Sequence, residues 1–391
     1  MTTHGRKVHT PAMSITHSNQ FNSFIPQDQG LQNAARIAIQ ESLKVQKDEQ
    51  VLIVSNPNRD VSLISQALFD AAIQVGAKPV LMYQPVKTQM DFADPMVIEA
   101  FKAKPSVFIS MSAEKLGKDE AGISHPYQFK DTQYDHIFHL QLYGEKTCRA
   151  FWSPSTNLES FIRTVPIDYT LLGRRCKTIK DILDKAVAVR VTAPGGTDIH
   201  IGLKGRLAKS DDGDFSQPGT GGNLPAGETF ISPENGTARG VIAFDGSISL
   251  HDRDILIHEP IRCTITDGYI TDIAGGEEAR ELLKTITLAE QQALEYEVSG
   301  RLPAGSGKIY AQNARNIGEL GIGLNPLATI TGNMLEDEKA FRTCHFAVGH
   351  NYDEDAPALI HLDGLVKDPT IIAIFENGRE ALIEEAGALR I

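Results

Sequence analysis

The chain has 391 residues, 41% of them apolar and 23% charged, which is more than a single hydrophobic core organises, so two globular domains are expected. Its apolar runs fall far short of the ~20 residues of a membrane-spanning helix, and a net charge of −12 argues against the basic face of a nucleic-acid binder. Cys148, Cys176, Cys263 and Cys344 form no C-x-x-C pair, which argues against a zinc ribbon, a redox motif or a secreted disulfide scaffold and fits a soluble protein of a reducing cytoplasm.

Residues 1–30 carry two early basic residues but no apolar stretch of the kind found in a secretory signal, and are expected to be a flexible or partner-contacting tail. Apolar spacing near 3.6 predicts a helix over 31–46. "EQVLIVSN" (49–56) is a β-branched run, and 60–77 predicts a second helix, started by Asp60 or Ser62 and stopped at Gly76. "KPVLMYQ", a helix over 95–103, "PSVFISMS" and "DHIFHLQL" (135–142) continue the alternation. Strands alternating with helices predict a parallel sheet covered on both faces. "NPNRD" follows the first strand where a dinucleotide site would carry G-x-G-x-x-G, so no nicotinamide cofactor is expected.

Helices are expected near 156–164 and 169–185, after which the pattern changes. "AVAVRVTAPGGTDIHIGLKGR", "ARGVIAFDGSISL" and "EPIRCTITDGYITDIAGG" are short β-runs broken by Gly-Gly and Asp-Gly turns. A helix over 277–299 follows. The expected architecture is thus an α/β parallel-sheet domain over 31–185, then a mostly antiparallel β-rich domain with helices over 186–391.

Candidate chemistry gathers in the second half. Glu228 ends the Gly/Pro-rich loop "GGNLPAGETF", Glu319 stands between glycines in "GELGIG", and "EDEKAFRTCHFAVGHNY" supplies His345 and Tyr352. In "LIHLDGL", His361 and Asp363 are two residues apart and would share one face of a strand. Each also has a plainer reading: a solvated glutamate, a packed tyrosine, a core histidine, a buried hydrogen-bonded pair. Taken together, two glutamates, two histidines and an aspartate suit a borderline divalent ion such as zinc, cobalt, manganese or iron(II). Five ligands exceed the needs of one ion, which suggests two ions sharing a carboxylate, an arrangement suited to amide hydrolysis, with Tyr352 a candidate hydrogen-bond donor to the oxyanion.

The remaining candidates are expected to be structural. His125, His136, His139, His251, His258 and His350 belong to no ligand motif. Asp198 and His200 follow a Gly-Gly turn on a strand face expected to be solvated. "SDDGD" (210–214) lacks the glutamate that closes a calcium loop.

The ordered set Glu228, Glu319, His345, Tyr352, His361 and Asp363 resembles the ligand pattern of the aminopeptidase T and aminopeptidase S family of two-metal leucyl aminopeptidases. "NLPAGETFISP", "GELGIGLNP", "LEDEKAFRTCHFAVGHNY" and the final H-x-D carry the likeness, over roughly residues 186–375. It implies Glu228, Glu319, His345, His361 and Asp363 as ligands of one or two divalent ions (zinc, cobalt or manganese), with Tyr352 and Glu228 at the reacting centre. A metal-bound hydroxide would then release N-terminal residues from short peptides, or cleave a related amide. A homodimer is implied too, with no nucleic acid or membrane partner.

Two departures stand beside this. Only fifteen residues separate His345 from His361, fewer than in the family's peptidases, and the N-terminal half lacks their most recognisable segments. The short spacing resembles instead a divergent branch, the 2,5-dihydroxypyridine 5,6-dioxygenases, which open an aromatic ring at one iron(II). That branch has serine where this chain has His345. Iron(II)-dependent cleavage of a hydroxylated pyridine or similar aromatic is therefore the alternative expectation.

Overall fold

The computed structural model describes residues 28–88 and 91–391. The first helix begins at Gln29, where the Asp28 carboxylate caps the backbone N–H groups of Gly30 and Leu31. The rest of the segment read as a tail, residues 1–27, lies outside the described residues.

Four of the strands in the first sheet come from the N-terminal half. Its parallel order runs Gly221–Asn223, Arg149–Trp152, Val107–Met111, Gln50–Ser55, Lys78–Tyr83. Alternation along these strands divides their side chains between two cores. Val51, Ile53, Val107, Ile109 and Phe151 pack with the helices Gln29–Ile37, Arg59–Gln74 and Leu158–Thr164. Leu52, Val54, Phe108 and Ala150 pack with Pro95–Lys102 and Ile137–His139. Burial on both faces is why these strands read as continuous apolar runs rather than as alternating ones.

Two local expectations are corrected. "DHIFHLQL" is not a strand: His136 accepts the Phe138 N–H through Nδ1, and the chain turns into the short helix Ile137–His139. The strand at that point is Arg149–Trp152, only four residues long. Asn58, rather than Asp60 or Ser62, caps the second helix, accepting from Asp60 N at 3.0 Å.

The rest of the chain folds into two antiparallel sheets. Eight strands run in the order Tyr269–Ala274, Ile261–Thr266, Arg239–Phe244, Asp198–Gly202, Ala186–Thr192, Thr370–Phe375, Glu380–Glu385, Ala388–Leu389. Seven run Asp254–Leu256, Ser247–Ser249, His361–Lys367, Thr343–Gly349, Ile317–Gly323, Glu228–Ile231, Lys209–Asp211. One core joins them: Val189, Val191, Ile199, Ile201 and Ile242 from the larger sheet, and Leu320, Ile322, Cys344, Phe346, Val348, Leu362 and Val366 from the smaller. The even-numbered residues of the three central strands of the smaller sheet thus face this core, and period-two alternation sends the odd-numbered ones to the opposite face. Asn325 fastens that region to the first half, its Nδ2 donating to the carbonyls of Thr164 and Ala226. No helix among the described residues is long and apolar enough to cross a membrane.

Candidate metal centre

The outward face of the seven-stranded sheet gathers the predicted ligands. Glu228 pairs with Gly323, Gly321 with His345, Ala347 with Asp363 and Gly349 with His361, so neighbouring strands bring side chains far apart in sequence to one place. A β-bulge between Ile317 and Glu319 sets the phase. Ile317 stays in the core, while Glu319, two residues on, turns outward to the site.

Two three-residue groups result, Glu228–Glu319–His345 and Glu319–His361–Asp363, within each of which the ligand atoms lie within 4.8 Å of one another. Glu319 belongs to both. Its Oε1 is 3.3 Å from His345 Nε2, and its Oε2 is 3.5 Å from His361 Nε2. Glu228 Oε2 is 3.4 Å from His345 Nε2, and Asp363 Oδ1 is 3.3 Å from His361 Nε2. His361 donates its Nδ1 proton to the His350 carbonyl at 2.8 Å. That bond selects the tautomer whose Nε2 lone pair points into the site, the usual support of a metal-binding imidazole.

Glycines make the room. A Cβ on Gly321 would stand 2.0 Å from His345 Nε2, and one on Gly323 would stand 2.1 Å from the Ala340 carbonyl oxygen. The first lets the imidazole lie across the strand. The second admits the segment that carries Lys339.

Lys339 was not singled out from the sequence. Its side chain is fully buried, with Nζ 2.5 Å from Glu228 Oε1, 2.6 Å from Glu338 Oε1 and 3.5 Å from Asp211 Oδ2. Asp211, set aside within "SDDGD", lies opposite Glu228 in the sheet. The signals were weak: a Glu-Lys pair inside the quoted "LEDEKAF" stretch, and an aspartate one strand away from a candidate ligand.

The charges of the site shift one another strongly. Burial alone would lower the His345 imidazole, but its hydrogen bond to Glu319 and the charge of Glu228 push it up to about 9. Burial likewise opposes the charged form of His361, and Asp363 outweighs it, pushing His361 up to about 10. Against its own burial, Asp363 is held down at about 2 by the His361 charge. Burial raises Glu319, and it raises Glu338 to about 8 in spite of Lys339.

These residues fit a divalent cation. Glu228 Oε2, Glu319 Oε2 and Asp363 Oδ1 are buried without a hydrogen-bond partner, a costly condition that a cation relieves. Three carboxylates, Asp211, Glu228 and Glu338, also crowd around one ammonium, that of Lys339. Tyr352 belongs to neither group. It is 46% exposed, and its ring lies at the edge of the site between His361, 5.0 Å away, and Phe230, 5.2 Å away. The other histidines and the Asp198–His200 pair stand outside both groups, and Asp198 pairs with Arg190 in solvent.

A model of the family described as NicX, 2,5-dihydroxypyridine 5,6-dioxygenase, matches residues 154–347. This range contains Glu228, Glu319 and His345 and ends before Tyr352, His361 and Asp363. A 2,5-dihydroxypyridine 5,6-dioxygenase of Pseudomonas putida is 32% identical over 110 residues, which are 28% of this chain and 31% of that protein's length. Among solved structures, the 2,5-dihydroxypyridine dioxygenase from Pseudomonas putida KT2440 aligns with a TM-score of 0.66 at 18% identity, covering 92% of this chain and 96% of that one. Wild-type AmpT from Thermus thermophilus aligns with a TM-score of 0.62 at 16% identity, covering 93% and 99%. The chain has the fold these two structures share.

Proposed function

We propose that the protein is a divalent-metal-dependent hydrolase of aminopeptidase type, acting on the N-terminal end of short peptides or on a related amide. The observation that carries this reading is the Glu319 carboxylate, whose two oxygens face two different histidines, His345 and His361. Glu228 completes the first group and Asp363 the second. Divalent ions held there would supply Lewis acidity toward a carbonyl and acidify a water.

The chain's own residues do the rest. His361, fixed by the His350 carbonyl, keeps its Nε2 directed inward. Glu319 holds the two groups at a set separation, and the Tyr352 ring forms one wall of the approach beside Phe230. Lys209 donates to the Tyr352 carbonyl at 2.6 Å and fixes the backbone of that wall.

A second reading, iron(II)-dependent cleavage of a hydroxylated pyridine, is favoured by the family match over residues 154–347 and by the Pseudomonas putida relative. One comparison separates the two. Protein reconstituted with zinc, cobalt or manganese is assayed on leucyl amides and dipeptides, and protein reconstituted with iron(II) is assayed aerobically for loss of 2,5-dihydroxypyridine absorbance. Peptide hydrolysis that His361→Ala abolishes together with the ion held by Glu319, His361 and Asp363 supports the hydrolase. Inert zinc, cobalt and manganese forms beside an iron form that consumes the pyridine would sink it.

A further inference from the structure

We infer that Lys339 is a positioning residue that makes the two cation sites unequal, so that Glu319–His361–Asp363 binds the first ion and Glu228–Glu319–His345 fills only at higher metal concentration. The inference rests on the metal-site reading and deepens it.

The asymmetry lies in the cations already present. The Lys339 ammonium is buried and 2.5 Å from Glu228 Oε1. It draws on Glu338 and Asp211 as well, at 2.6 and 3.5 Å. An ion among Glu228, Glu319 and His345 must share the Glu228 carboxylate with that ammonium, and like charges in a buried site repel far more strongly than in water. Glu228 offers such an ion only Oε2, the oxygen left without a hydrogen-bond partner. Among the described residues, Glu319 and Asp363 have only histidines within salt-bridge distance and no lysine or arginine. His361 also has the carbonyl support described above, whereas His345 Nδ1 is buried without a partner. Both the charge and the support of the imidazole therefore favour the same site.

Lys339 also has a constructive part. With Oε1 tied to the ammonium, Glu228 cannot chelate through both oxygens and must present Oε2 toward His345. The weaker ion would thus be held by single oxygens on a rigid sheet face.

The test is a titration of chelator-stripped full-length protein with zinc and with cobalt against a chromophoric chelator, which reads affinity and stoichiometry without turnover. Two steps separated by about tenfold or more in Kd are expected. Glu228→Gln should remove only the weaker step, and His361→Ala only the tighter one. Lys339→Met should bring the two steps together, and Lys339→Arg should keep them apart. Two equal steps in the wild type, or a Lys339→Met titration that superimposes on the wild type, overturns the inference while leaving hydrolysis open. No metal uptake at all overturns both the inference and the site reading. If Lys339→Met does not fold, as judged by circular dichroism, the wild-type and Glu228→Gln titrations decide the matter alone. An absence of peptide hydrolysis beside two unequal steps sinks the hydrolase and supports this inference.

Discussion

Gly321 and His345 face each other across adjacent antiparallel strands, and the imidazole occupies the space where a side chain on Gly321 would stand. Gly321→Ala forces the ring off its position with the strand intact. The expected cost is about 1–3 kcal/mol from overpacking, with loss of the ion bound by Glu228, Glu319 and His345 and retention of the one bound by Glu319, His361 and Asp363. Thermal melts and elemental analysis check this. Unchanged metal content would show that His345 is not a ligand.

Removing metal should destabilise the protein. Glu228, Glu319 and Asp363 each keep a buried oxygen without a hydrogen-bond partner, so the native state has a direct reason to take up a cation. An ion present at a hundred times its Kd adds about 2.7 kcal/mol. For a chain of this size that corresponds to a fall in Tm of about 3 °C for each such ion on chelation. Differential scanning calorimetry with and without EDTA, then with metal restored, measures it. A Tm indifferent to both additions contradicts the site.

How much of this could be read from residues alone follows from what each feature depends on. His361 and Asp363 were legible because strand alternation is a local property, and two residues of spacing place both side chains on one face. The same alternation sends Cys344 into the core, away from its neighbour His345. Glu319 was legible as a candidate through its glycine neighbours, but its orientation was not, because the bulge after Ile317 is set by the pairing partner. Lys339 was missed because a lysine is almost never buried unless paired, and its partners lie up to 128 positions away at Asp211 and 111 at Glu228. "DHIFHLQL" misled because its apolar spacing suits either element, and the His136 cap decided the outcome.

Tyr352→Phe tests the edge of the site rather than its ligands. The ring packs between Phe230 and His361, and phenylalanine preserves that packing. Bound metal and Tm should hold, while the hydrolytic kcat falls on the order of a hundredfold, as on removal of one preorganised oxyanion donor. Steady-state kinetics on a leucyl amide resolves this. A variant as fast as the wild type would leave Tyr352 a packing residue.

Glu384 provides a pH test remote from the metal centre. It lies on the strand Glu380–Glu385 with both carboxylate oxygens buried and unpartnered. Burial, only partly offset by the Arg342 charge, pushes it from an ordinary value of 4.5 up to about 8. Between these two pH values the folded chain holds a proton that the unfolded chain has released, so stability must fall as pH rises through the window. Glu384→Gln cannot ionise and lacks this term. Relative to the variant, the wild type should lose on the order of 1–3 kcal/mol between pH 5 and pH 8, with the two proteins closest in stability at the acid end. Urea denaturation at a series of pH values gives the difference directly. Parallel profiles would mean that Glu384 ionises as freely in the folded protein as in the unfolded chain, and would place its carboxylate in contact with water or a cation.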